Sequence, residues 1–268
     1  MEYVSPGLVA FDTLEITAVC NTTGDVILRN VEINSGRELP WVSEMGPPRA
    51  NALAIVCGGP SLEKLIPKIS WHKHRGDYIL CVNHAGHVLR SKGIEPDGVV
   101  LLDAHPNMVE CITPGATHYV ASQCNPAVFD ALSDEKVILW QSKTDGSEEA
   151  VARGNKYHDG PYASIGGGVT VGLRAINLGF VLGWRNINAF AMDSSFDGAA
   201  HAYEHDWLPG EPMLRIEAYG REFIIEPWMG AQAKFYPYLK NLIKAHGGTI
   251  RAYGPGLIPW IDKHLEAQ

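Results

Sequence analysis

The sequence predicts an α/β protein, a Rossmann-like and mainly parallel sheet with helices on both faces, plus a small β-rich element at the N-terminus. Three observations predict it. Short continuous apolar runs recur at 53–56, 78–82, 98–102, 118–121, 137–140 and 187–192, with helix-length stretches between several of them, the signature of strands buried on both faces. Most of these runs end in glycine or polar residues, as parallel strands do at the carboxyl edge where ligands gather. Residues 1–48 have a different texture: β-type alternation at 14–19 and apolar runs at 26–28 and 31–33, punctuated by Thr23-Gly24-Asp25 and Asn34-Ser35-Gly36. The stiff stretch Gly46-Pro47-Pro48 then marks a boundary between a β-rich N-terminal element, 1–48, and a Rossmann-like domain, 49–268.

Composition narrows the functional classes. A chain 46% hydrophobic and 19% charged is globular, and its net charge of −8 rules out the broad basic surface that non-specific nucleic-acid binding uses. Five cysteines without a CxxC pair read as reduced thiols, and an acidic residue directly after Met1 does not open a signal peptide, so a cytoplasmic location is expected. The most apolar window, 165–184, contains Arg174 and Asn177 and is no membrane span. A homo-oligomer is compatible with all of this.

The first strand ends in Gly58-Gly59-Pro60-Ser61. Two glycines leave backbone N–H groups uncovered, proline suits a first helical turn and serine adds a donor, so the loop reads either as a phosphate seat or as a glycine turn packing strand on helix. Asn83 follows the second strand and can donate to and accept from a base or ribose, or else satisfy its own turn. Asp103 and Asp193 end two further strands. They can share a magnesium ion bound to a diphosphate, or each can cap the segment that follows.

A glycine triplet, Gly166-Gly167-Gly168, opens an almost wholly apolar helix, and with Ser164 and Thr170 it makes a second anion site or a close helix packing. Beyond the strand ending at Asp193 lie His201, Tyr203 and His205, of which a histidine can act as general acid or base or be plain surface. His72, His74, His84 and His87 fall on different predicted elements and complete no zinc set. The chain closes with an amphipathic helix at 236–244, a strand at 249–253 and a Gly254-Pro255-Gly256 turn that either covers the crevice or ends the sheet.

From about Asn51 to Ile261 these pieces resemble the superfamily of the 6-hydroxymethylpterin diphosphokinase-like proteins, the motility accessory factors that glycosylate flagellin and related bacterial sialyltransferases. The matching residues are Cys57-Gly58-Gly59-Pro60-Ser61-Leu62, Asn83, Gly93-Ile94-Glu95-Pro96-Asp97 leading to Asp103, Gly166-Gly167-Gly168-Val169, Leu178-Gly179, Asp193 and Ala200-His201-Ala202-Tyr203. The resemblance implies a nucleotide-handling transferase with the first glycine loop and Asn83 beside the nucleotide. Two departures stand out. Where the archaeal diphosphokinases are acid-rich, this chain has Leu101-Leu102-Asp103-Ala104-His105-Pro106, and where the sialyltransferases place a catalytic histidine it has Ile225-Glu226-Pro227-Trp228. Glu226, His201 or His205 therefore stands in as the base. The expected activity is transfer of a sugar, an acidic one, from a CMP donor to a hydroxyl acceptor. The alternatives are ATP-dependent diphosphate transfer to a pterin-like hydroxymethyl group, which needs magnesium, and a binding module of the same fold without catalysis.

Overall fold

The structure, a computed structural model, describes residues 7–16, 22–43, 45–157, 160–199, 201–202 and 213–267. In chain order come β1 (Val9–Ala10), α1 (Gly24–Ser35), β2 (Leu53–Val56), α2 (Leu62–His74), β3 (Tyr78–Val82), α3 (Ala85–Ser91), β4 (Gly98–Leu101), β5 (Thr117–Ala121) and α4 (Pro126–Ala131). There follow β6 (Val137–Ser142), α5 (Ser147–Gly154), β7 (Ser164–Ile165), α6 (Val171–Val181), β8 (Asn186–Phe190), β9 (Leu214–Ala218), β10 (Arg221–Ile225), α7 (Pro227–Ala245), β11 (Thr249–Tyr253) and α8 (Leu257–Glu266).

Eight strands form the main sheet in the order β11-β8-β2-β3-β4-β5-β6-β7, with every neighbouring pair parallel. The chain steps outward from β2 to β7, returns through α6 to β8 on the far side of β2, and adds β11 last. The strand order thus reverses between β2 and β8. Leu53, Ala54, Ile55 and Val56 of β2 are wholly buried, as expected of a central strand covered on both faces. Helix α6 lies directly on it: a Cβ on Gly179 would collide with Leu53 Cδ2, so only glycine lets the helix approach so closely.

A second, three-stranded sheet has the order β1-β9-β10, with β1 parallel to β9 and β9 antiparallel to β10. The small β element is therefore present, but two of its three strands come from 214–225. The expected strands at 26–28 and 31–33 are wound into α1, 14–16 lie in a loop, and 17–19 fall outside the described residues. The reason is a stripe of period 3.6. Ile27, Asn30, Val31 and Asn34 face inward, and the Asn34 amide donates to the carbonyls of Ser122 at 2.8 Å and Cys124 at 2.7 Å while Asn30 donates to Gln123 O at 3.1 Å. These asparagines are buried struts between α1 and the loop after β5. Around the Gly46-Pro47-Pro48 stretch the chain is stitched to the main sheet and to α6, through Val42 N–H to Leu139 O at 2.8 Å and Gly46 N–H to Val181 O at 2.7 Å.

Candidate active site at the reversal of strand order

Where strand order reverses, the loops leaving two adjacent strands diverge and open a crevice at the carboxyl edge. Here they are the loops after β2 and β8. They are tied to each other at the base. Gly59 N–H donates to Ala191 O at 2.9 Å, while Ser61 donates its N–H to Asp193 Oδ2 and its hydroxyl to Asp193 Oδ1, both at 2.9 Å. Glycine is required at 59 because a Cβ there would sit 2.5 Å from Asp193 Oδ2. Ala191 and Ser194 flank the aspartate in left-handed conformations, with φ of 53° and 50°. That is a costly arrangement for alanine, and it concentrates backbone strain at this strand end. Burial pushes the Asp193 carboxyl above its ordinary range, while the Ser61 and Gly256 hydrogen bonds pull it back down.

This clamp alters two expectations. The start of α2 already holds an anion, the protein's own Asp193, and Ser61 is buried with both donors committed to it. Nor do Asp103 and Asp193 share a cation. Both Asp193 oxygens are engaged by Ser61, and Asp103 follows β4, three strand spacings or about 14 Å from β8. Among the described residues no group of three or more His, Cys, Asp or Glu side chains is arranged to hold a metal ion, so the residues present do not fit a magnesium site built on this pair.

The second glycine run follows β7 at the sheet edge, and it is the helix it opens, not the run itself, that reaches the loops after β2 and β8. Gly172, in the first turn of α6, packs so closely that a Cβ would lie 3.2 Å from both Cys57 Sγ, just past β2, and Met192 Cε, just past β8. Thr170 caps the helix by accepting Leu173 N–H at 3.4 Å. Gly167 and Gly168 take φ of 117° and 96°, and Gly166 faces open space, its carbonyl held by Asn177 Nδ2 at 3.0 Å. Ser164 is exposed on β7. Arg174, noted in the sequence only as a charge unsuited to a membrane, braces this opening by donating to Ser142 Oγ at 2.7 Å and Ile165 O at 3.0 Å. The Cys57 thiol beside it is pushed up to about 12 by burial, with Asp193 adding to the effect, so it is no nucleophile.

Asn83 ends β3, the neighbour of β2. Its φ is 50°, and its side-chain Oδ1 is buried with no hydrogen-bond donor among the described residues. Across the crevice, Ala202 N–H donates to Gly58 O at 3.0 Å and so fixes His201 beside the first glycine loop. The His201 ring stacks on Trp228, with centroids 6.3 Å apart and planes 12° from parallel, and the indole N–H of Trp228 donates to Glu226 Oε2 at 2.6 Å. His201, Trp228 and Glu226 are therefore one group, whereas His205 and Tyr203 lie outside the described residues. Gln232 of α7 joins α7 to the β8 loop by accepting from Ser194 Oγ at 2.7 Å. Neither Trp228 nor Gln232 carried a sequence signal beyond following Glu226 on an amphipathic helix. The remaining histidines play structural parts: His72 is buried against Asp77 at 2.8 Å, and His87 bonds Glu110 O at 2.9 Å. Chemically, this end of the sheet presents an acceptor on Asn83 that has no donor among the described residues, and an imidazole and a carboxylate linked through Trp228 beside the first glycine loop.

A profile of the family described as 6-hydroxymethylpterin diphosphokinase MptE-like matches residues 33–198, a span that includes the first glycine loop, Asn83, the glycine triplet and Asp193 but not His201 or Glu226. No curated protein sequence matches the chain. Among solved structures, the MAf glycosyltransferase from Magnetospirillum magneticum AMB-1 matches with a TM-score of 0.62 at 18% identity, over 88% of this chain and 39% of that one. At that identity the likeness is one of fold. Among the described residues no helix is long and apolar enough to cross a membrane.

Proposed function

The chain belongs to the 6-hydroxymethylpterin diphosphokinase MptE-like family, and from that premise we propose that it is a nucleotide-dependent transferase that passes an acidic sugar from a CMP-activated donor to a hydroxyl acceptor. The observation that carries this reading is Asn83 Oδ1, a buried acceptor without a donor among the described residues, just past β3, the strand next to β2. An unmet buried acceptor costs about 1–3 kcal/mol, and a ligand N–H or O–H, such as the amino group of a cytosine, meets it. The glycine opening at 166–168 is suited to receive the donor's phosphate on its amides. His201 or Glu226 takes the acceptor's hydroxyl proton as its oxygen bonds to the anomeric carbon, and the C–O bond to the nucleoside monophosphate breaks and leaves with its electron pair. Shared fold with the MAf glycosyltransferase supports sugar transfer over other group transfers. The reaction is proposed to run in the cytoplasm.

The family's description favours a second reading, diphosphate transfer from ATP to a hydroxymethyl group. The two separate cleanly when thermal stability is followed with CMP, CDP, AMP and ATP, each with and without magnesium, because a ligand of the native state raises the melting temperature. Stabilisation by CMP in the presence of EDTA supports the glycosyl reading. Stabilisation by ATP only with magnesium replaces it with the kinase, and no shift from any nucleotide leaves a non-catalytic module.

A further inference from the structure

A cleft of about 470 Å³ borders the Gly59–Ser61 loop, lined by Pro60 and Lys64 after β2 and by Asp193, Ser195 and Phe196 after β8. Its floor is the β8 end with Pro60, Pro255 and Gly256, and its outer wall is the β9–β10 hairpin. The hairpin is docked rather than loose: Phe196 N–H donates to Ile224 O at 2.9 Å, and the Trp260 indole of α8 donates to Ala218 O at 2.9 Å. The amides at the start of α8 are not what the cleft offers, since Leu257 N–H goes to Ser195 Oγ and Ile258 N–H to Asp193 O.

What it offers is cationic side chains. Lys64 pairs with Asp197 at 2.7 Å and Arg215 with Glu222 at 2.6 Å, whereas Arg221 is exposed, makes no ion pair among the described residues and lies over the Phe223 ring at 4.8 Å. With Asp193, Asp197 and Glu222 against Lys64, Arg215 and Arg221 the lining is formally neutral, but Arg221 is the cation of the three that has no carboxylate at ion-pair distance among the described residues. A guanidinium so placed suits a carboxylate, which its planar fork grips bidentately. Phe196, half-buried, supplies apolar surface for the C–H face of a ring.

We propose that this cleft is a second substrate subsite, holding the carboxylate of an acidic sugar on Arg221. It rests on the transferase reading only for its place in the reaction; binding itself is independent of it. The test is calorimetric titration of N-acetylneuraminate, and of its uncharged methyl ester, into the full chain at fixed ionic strength, repeated with R221Q and E222Q. The acid is expected to bind and the ester to bind about tenfold more weakly. R221Q is expected to lose the difference, E222Q to tighten the acid by releasing Arg215, and CMP stabilisation to be unchanged in R221Q. Equal binding of acid and ester, or wild-type affinity in R221Q, overturns the subsite. Acid binding through Arg221 in a protein that CMP does not stabilise keeps the subsite and rejects the nucleotide reading. Competition between the acid and intact CMP-N-acetylneuraminate assigns the subsite to the donor sugar, and simultaneous binding assigns it to the acceptor.

Discussion

Asp193 accepts both hydrogen bonds that Ser61 donates, one from the amide and one from the hydroxyl, each at 2.9 Å, and thereby locks the loop after β2 to the loop after β8. The lock is built on a carboxyl whose burial favours the protonated form. A group bound more tightly to its proton in the fold than in the open chain stabilises fully below its unfolded value, about 3.9 for aspartate. That contribution is lost as pH rises through the folded value. Asp193→Asn does not titrate and can still accept Ser61 N–H and donate to Ser61 Oγ. In urea melts from pH 4 to 7, the wild type should therefore lose ground to Asp193→Asn as pH rises. A difference that widens in the wild type's favour toward neutrality would show that the hydrogen bonds outweigh burial.

Glycines 59 and 166 predict opposite outcomes for the same substitution. Gly59→Ala drives a methyl into Ala191 O and Asp193 Oδ2, fixed groups of the lock, and should cost about 1–3 kcal/mol as overpacking does. Gly166→Ala points its methyl into open space and should melt as the wild type does, yet it narrows the opening that is proposed to receive phosphate. A stable Gly166→Ala protein that binds CMP as well as the wild type would remove that opening from the site.

Much of this architecture can be read from the chain, and the parts that cannot have physical reasons. Strands β2 to β6 and β8 announce themselves because short continuous apolar runs bounded by turn signals suit strands buried on both faces, and β11 shows itself as a short β-type segment after an amphipathic helix. Helix α1 does not: Asn30 and Asn34 resemble turn residues until their amides are seen to bond carbonyls 93 and 88 residues away. The alternation Leu214-Arg215-Ile216-Glu217-Ala218, a Tyr219-Gly220 turn and Phe223 to Ile225 carry the local signal of the β9–β10 hairpin. In the site, the two glycine openings and Asn83 stand out by residue type. So do Ser61 and Asp193 taken singly, but their pairing does not, because it depends on β8 lying beside β2, which follows from where the chain turns back and not from either local sequence.

Asn83 offers a way to separate ligand from scaffold. Its φ of 50° suits asparagine or glycine, so Asn83→Gly keeps the backbone while deleting the unmet acceptor. Stability should hold or rise, because deleting the unmet acceptor relieves about 1–3 kcal/mol against about 0.5–1 kcal/mol for the added freedom of glycine. Nucleotide-induced stabilisation should vanish. If Asn83→Gly instead unfolds readily and binds CMP normally, the side chain is scaffold and the base or ribose is read elsewhere.

The far wall of the crevice assigns its two ionisable groups different tasks. Glu226 is committed to the Trp228 indole at 2.6 Å, and that indole lies parallel to His201, so the carboxylate orients the ring against which the imidazole stacks. His201, held next to Gly58 by the backbone of Ala202, is the residue we propose takes the proton. Loss of a general base costs about 10²–10⁴ in rate, and His201→Asn should fall in that range at unchanged CMP affinity. Glu226→Gln still accepts the indole N–H and should lose only about tenfold, the scale of one weakened charge-assisted hydrogen bond. Trp228→Phe keeps the stacking partner but releases Glu226, so it should resemble Glu226→Gln and not His201→Asn. Single-turnover rates of sugar transfer for the three variants measure this directly. The reverse order, with Glu226→Gln the most damaged and His201→Asn nearly active, would make Glu226 the base and the histidine its neighbour.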